Sequence, residues 1–228
     1  MTTPQLPVLS LLETRALGVL VEKERTVPDT YPLSLNALVA GCNQKNNRNP
    51  VINASEAEVQ AALDRLKSLS LVVESSGSRV ARYSHNMGRV LQVPAQAVAL
   101  LATLMLRGPQ TAGELRINCE RLHKFLDISS VEAYLQELAQ RSAGALVQEL
   151  PRQPGMRENR WTHLLGGTPP VGATEVAAPA AAADVTVGEL AALKANVARL
   201  EDEVAALRAT VARLCAELGV APGGSDEA

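Results

Sequence analysis

Apolar residues recur at helical spacing along most of this chain, and the runs open on a repeated start signal. After Ser55, residues Val59, Leu63, Leu66 and Leu69 fall on one helical face, and after Ser129 so do Val131, Leu135, Leu138 and Ala139. Four pairs, Ser10 with Glu13, Ser55 with Glu58, Thr111 with Glu114 and Ser129 with Glu132, match the capping box, in which a hydroxyl and a carboxylate three residues on satisfy the free amides of a helix start. Further helices are predicted over about 10–24, 33–42, 95–106 and 112–122.

Two of the helical runs lead into extended segments. Leu71-Val-Val-Glu74 meets Ser75-Ser-Gly-Ser78 and then Arg79–Ser84, while Ala145-Leu-Val-Gln148 meets Pro151–Gly155 and then Glu158–His163. The order is three helices followed by a hairpin, twice over. That is the winged variant of the helix-turn-helix, expected over 8–90 and again over 93–166. The predicted fold class is mainly α with small β-hairpins (α+β): two tandem winged-helix domains followed by a C-terminal coiled-coil helix.

Residues 167–186 are rich in Ala, Pro, Gly and Thr and read as a flexible linker. Beyond it, Leu190, Leu193, Val197, Leu200, Val204, Leu207, Val211, Leu214 and Leu218 alternate spacings of three and four. β-branched residues dominate one heptad position and Leu fills the other, the pattern of a parallel two-stranded coiled coil over 187–218. Glu189 and Glu203 each precede a cation, Lys194 and Arg208, by five residues, where opposite charges meet across such a pair. A homodimer through this helix is the expected assembly; folding back onto the same chain is the competing one. Residues 219–228 read as a frayed tail.

Charge divides along the chain. Residues 1–168 hold 18 basic and 15 acidic side chains, whereas residues 169–228 hold 4 and 9. The excess in the front part is too small to establish nucleic-acid binding by itself. Cys42, Cys119 and Cys215 are odd in number and far apart, no C-x-x-C pair occurs, and His85, His123 and His163 form no metal-ligating cluster with them. Cys42 and Cys119 each fall eight residues after a capping hydroxyl, Ser34 and Thr111, which predicts buried core thiols. A reduced, cytoplasmic protein is expected, without signal peptide or membrane span. No phosphate loop, nucleophile elbow or zinc-protease motif occurs, so no catalytic residue, cofactor or metal is expected and the chain reads as non-enzymatic.

The stretch Tyr31-Pro-Leu-Ser-Leu-Asn36, followed by Cys42-Asn-Gln-Lys-Asn-Asn-Arg-Asn-Pro50, closely resembles the YceH-like family of uncharacterised bacterial proteins. Matching segments recur at Leu106-Arg-Gly-Pro-Gln-Thr111, Gly113-Glu-Leu-Arg116 and Pro154-Gly-Met-Arg-Glu158 with Arg160. The resemblance covers about residues 8–166 and implies a tandem winged-helix fold in a bacterial cytosolic protein. It implies no reaction, ligand or set of functional residues.

Two functional readings stay open. For DNA, the wings carry Arg79 and Arg82 in the first copy and Arg152, Arg157 and Arg160 in the second, where a guanidinium can reach phosphates or the minor groove. The turn before the third helix offers Asn43 and Gln44 to base edges and Lys45 and Arg48 to phosphates; the same residues could instead cap backbone groups and face solvent. Against DNA, the third helices carry Glu56, Glu58 and Asp64 in one copy and Glu132 and Glu137 in the other, and carboxylates near phosphates cost binding energy. The first reading is a DNA-associated regulator on double-stranded DNA. The alternative is a protein-assembly adaptor in which winged helices serve as docking modules without DNA.

Overall fold

The computed structural model describes residues 8–75, 80–152 and 155–167. The linker, the heptad residues Leu190–Leu218 and the tail lie outside the described residues, as does Arg79. Among the described residues are seven α-helices and two small antiparallel sheets, a mixed α/β architecture dominated by helix.

Helix α1 (Leu11–Thr26) begins where the capping box predicts: Glu13 N–H donates to Ser10 Oγ at 3.2 Å and Ser10 N–H donates to Glu13 Oε2 at 2.7 Å. It stops before Pro28, which cannot continue a helix. A short 3-10 turn, Pro28–Thr30, leads to strand β1 (Leu33–Ser34) and helix α2 (Leu35–Cys42), capped by Ser34. Helix α3 (Glu56–Ser68) follows a loop and is opened by the Ser55–Glu58 box. Strands β2 (Val72–Ser75) and β3 (Arg82–His85) form the hairpin, with β1 added on the far side of β3. The register sets Val72 against His85 and Leu33 against Tyr83.

Helix α4 (Met87–Leu91) joins this unit to the second pass. There α5 (Ala95–Arg107), α6 (Ala112–Asn118) and α7 (Ile128–Ala139) precede the hairpin of β4 (Val147–Glu149) and β5 (Trp161–His163). Gln110, just before α6, bridges to Trp161, a one-residue counterpart of the β1–β3 pairing. The order helix, helix, helix, strand, strand thus occurs twice.

Two predicted boundaries change. The third helix of the second pass starts at Asp127, not Ser129: the Asp127 carboxylate accepts from Ser130 N–H at 2.7 Å, so the aspartate takes the cap that the Ser129–Glu132 motif suggested. Helix α6 ends at Asn118 rather than Leu122, because the chain tightens into turns there, with Leu122 N–H and His123 N–H both donating to Cys119 O at 2.8 Å.

The core is continuous across both passes. Residues 97–106 of α5, the longest apolar run in the chain, are buried throughout, as are residues 13–21 of α1. These two helices pack against each other. Their approach is close at Gly18, where a Cβ would stand 3.0 Å from Leu106 Cγ. Cys42 and Cys119 are both fully buried, as the spacing predicted. No helix among the described residues is long and apolar enough to cross a membrane.

Candidate functional site

Two of the Asn-rich turn's candidates, Asn43 and Arg48, are spent on contacts within the chain. Asn43 makes a two-way amide contact with Ala54, its Nδ2 donating to Ala54 O at 2.8 Å and its Oδ1 accepting from Ala54 N–H at 2.7 Å. This closes the α2–α3 loop by the capping use of asparagine. Arg48, read from the sequence as a phosphate contact, is sequestered instead. Its side chain is 0% exposed and donates through Nη2 and Nη1 to the two oxygens of Glu22, at 2.6 and 3.2 Å. Nε donates to Gly41 O at 3.2 Å, Nη1 also to Asn47 O at 2.9 Å, and Nη2 to Gln44 Oε1 at 3.3 Å. Burial requires such partners, since an unpaired interior guanidinium is costly. The loop is tied to the second pass as well: Asn49 N–H donates to Leu106 O at 2.8 Å. Lys45 alone of the turn's four candidates keeps its side chain exposed and outside this network.

The wing arginines divide the same way. Arg82 Nη1 donates to Pro32 O at 2.8 Å, holding the first hairpin against β1's approach. Arg160 Nη2 donates to Glu114 Oε1 and Oε2 at 2.9 and 3.1 Å, pinning the second hairpin to the first turn of α6. Arg152 and Arg157 remain exposed. The starts of the third helices present Glu56, Glu58 and Glu132 to solvent, and the Ser55 hydroxyl and amide hold the Glu58 carboxyl below its ordinary range, so it is an anion where a base-reading helix needs donors.

Two surfaces went unremarked in the sequence. The first lies on α6 and the entry to α7. Ile117 is 69% exposed, Leu126 90% and Ile128 44%. Ile128 Cδ1 lies 3.8 Å from the Cβ position of Gly113, one helical turn before Ile117, so the two isoleucines share a face. Arg116, Arg121 and Lys124 stand exposed among them. Two of these cations, Arg121 and Lys124, lie between the second and third helices of the second pass, with Arg116 inside the second.

The second surface is a cleft of about 160 Å³ between the passes, walled by the end of α1, the 44–47 turn, the end of α5 and the residues after α6. Lys23, Arg107 and Arg121 line it together with Glu22, Gln44, Asn47 and Asn118. Arg107 Nη1 donates to Asn118 Oδ1 at 2.9 Å. Burial, and secondarily the charge of Arg48, pulls the Arg107 pKa below its ordinary value, against the opposing pull of Glu22.

Nucleophilic chemistry finds little purchase in the described thiols. Burial pushes Cys42 up to about 12 and Cys119 up to about 11, so both stay protonated. Among the described residues no group of three His, Cys, Asp or Glu side chains could hold a metal ion.

Fold and surfaces together define a mixed α/β protein, mainly helical, in which one structural order is repeated and the repeats share a core. The chain belongs to the DUF480/UPF0502 family of uncharacterised bacterial proteins, in agreement with the resemblance carried by its sequence. The family model described as "Protein of unknown function, DUF480" matches residues 9–156. A UPF0502 protein of Dechloromonas aromatica is 64% identical over 195 residues, covering 86% of this chain and 90% of that protein. A relative in Methylibium petroleiphilum is 64% identical over 218 residues, covering 94% and 92%, and one in Paraburkholderia xenovorans is 59% identical over 221 residues, covering 96% and 92%.

Proposed function

We propose that this chain is a non-enzymatic tandem winged-helix protein that acts as an assembly adaptor, docking a protein partner through the α6–α7 surface of its second repeat. The helix-turn-helix order with a hairpin after each third helix supports the winged-helix reading, and the heptads over 187–218 support pairing of two chains. The observation that carries the docking reading is Leu126, 90% exposed, two residues before the half-exposed Ile128. It stands at the start of the helix that a DNA reader inserts into the major groove. Exposed apolar side chains among charges of both signs, Arg116, Arg121 and Lys124 with Glu120 and Asp127, fit a partner surface that is apolar at its centre and polar at its rim.

The DNA-associated reading draws on Lys45, Arg82, Arg152 and Arg157, the exposed basic candidates among the described residues. Arg48 and Arg160 are each held by a carboxylate of the same chain, and Arg82 by a backbone carbonyl. Titrating duplex DNA into the full-length protein at low and physiological salt separates the two readings. The adaptor reading expects no salt-dependent binding. It also expects Leu126→Asp and Ile117→Asp to remove a partner captured by the parent while leaving the melting temperature unchanged. Steeply salt-dependent binding that is lost in an Arg152→Ala, Arg157→Ala variant would establish the regulator instead.

A further inference from the structure

The cleft between the repeats gathers more positive charge than its described lining neutralises. Lys23 comes from the last turns of α1, Arg107 closes α5, and Arg121 follows α6; the enclosed Arg48 stands directly behind. Glu22 is the one carboxylate among the residues lining the cleft, and both its oxygens are already bound by Arg48, with Lys23 3.6 Å away. Arg107 has a neutral partner, Asn118, and among the described residues no carboxylate pairs with it directly, although the charge of Glu22 acts on it from farther off. The C-terminal ends of α1 and α5 offset part of this, roughly half a charge each. Counting the four cations, Glu22 and both helix ends leaves an excess of about two positive charges.

Arg107 is also held in place, which separates it from an ordinary solvated side chain, while Arg121 stands exposed at the cleft's rim. A chain of hydrogen bonds fixes Arg107: Asn118 Nδ2 donates to Gln110 Oε1 at 2.7 Å, and the buried Gln110 donates through Nε2 to Gly108 O at 3.2 Å. A guanidinium positioned this way loses little freedom on meeting an oxyanion. Gln44 accepts from Arg48 through its oxygen, which leaves its amide hydrogens to donate into the cleft. At about 160 Å³ the cleft falls below the range of drug-sized pockets, so a compact ligand fits and a dinucleotide does not.

We propose that this cleft binds a small phosphate-bearing anion, with Arg107 and Arg121 gripping its oxygens and Lys23 supplying the third cation. The proposal shares Arg121 with the docking surface but does not rest on that reading, because the cleft lies between the repeats and needs no partner protein. Its walls come from both passes, so an occupied cleft would join α1 to α5 and α6 through the ligand.

The test is calorimetric titration of the full-length protein with inorganic phosphate and with glycerol 3-phosphate at matched ionic strength, alongside melting temperatures with each. Saturable binding of either probe, weakened at least tenfold in Arg121→Gln and in Lys23→Gln, is the expected result. Tighter binding of glycerol 3-phosphate identifies an organic phosphate as the ligand; tighter binding of inorganic phosphate identifies the free ion. Phosphate also stabilises proteins by exclusion from their surface, so a melting shift of equal size in the parent and in Arg121→Gln overturns the proposal. So does the absence of binding heat with both probes. Arg121 is exposed, which makes its variant informative even where Arg107→Gln fails to fold.

Discussion

The Arg48 guanidinium is bound to both carboxylate oxygens of Glu22, at 2.6 and 3.2 Å, with the arginine side chain fully enclosed and the glutamate 16% exposed. The pair fastens the loop after α2 to α1, twenty-six positions earlier in the chain. Removing one partner of such a pair strands a buried charge, at a cost of about 3–5 kcal/mol. Glu22→Gln is therefore expected to lower the urea midpoint sharply with an unchanged denaturant slope. Adding Arg48→Met should recover part of the loss, and a double-mutant cycle by urea unfolding measures how much.

Gly41 makes a second stability prediction. A Cβ at this position would stand 2.5 Å from Cγ1 of the buried Val19. Valine is stiff about χ1, so the methyl cannot swing clear. Gly41→Ala should destabilise by about 1–3 kcal/mol even though alanine favours helix. Val19→Ala in the same chain opens the space, so the two changes together should cost less than the sum of each alone. Thermal unfolding of the four proteins provides the comparison.

His163 ties stability to pH. Its Nδ1 is buried without a hydrogen-bond partner, and burial pulls the imidazole down from its ordinary value to about 4. The unfolded chain therefore takes up a proton at a pH where the folded chain does not. Stability from this residue is complete above the unfolded value near 6.5 and declines as pH falls from there toward 4. The loss should be on the order of 2 kcal/mol, allowing for the ring's partial exposure. Urea midpoints of the parent and of His163→Phe between pH 7 and pH 4.5 check it: the parent's midpoint should fall more steeply.

Local signals carried most of the fold. Three of the four capping boxes mark true helix starts, because both halves of that device lie within four residues of sequence. The fourth misled, since Asp127 stands just upstream and its carboxylate outcompetes the Ser129 hydroxyl for the cap. The eight-residue spacing from the capping hydroxyls Ser34 and Thr111 likewise anticipated the burial of Cys42 and Cys119.

Candidate surfaces were less legible, for a physical reason. An arginine in a polar loop looks solvated until its partner is known, and Glu22, Gly41 and Gln44 become partners of Arg48 only once the loop has folded back on α1. Lys23, Arg107 and Arg121 form one cleft although no two of them share a helix. Leu126 belongs to neither helical stripe, and the turn before α7 leaves it exposed.

The closeness of α1 and α5 at Gly18 and Leu106 bears on how the molecule comes apart. Each repeat supplies part of the other's interior, so neither can open without wetting its neighbour. A breach begun at either hairpin must then spread through the shared helices or close again, which makes the two copies a single cooperative unit. What began as two instances of one pattern has become thermodynamically indivisible.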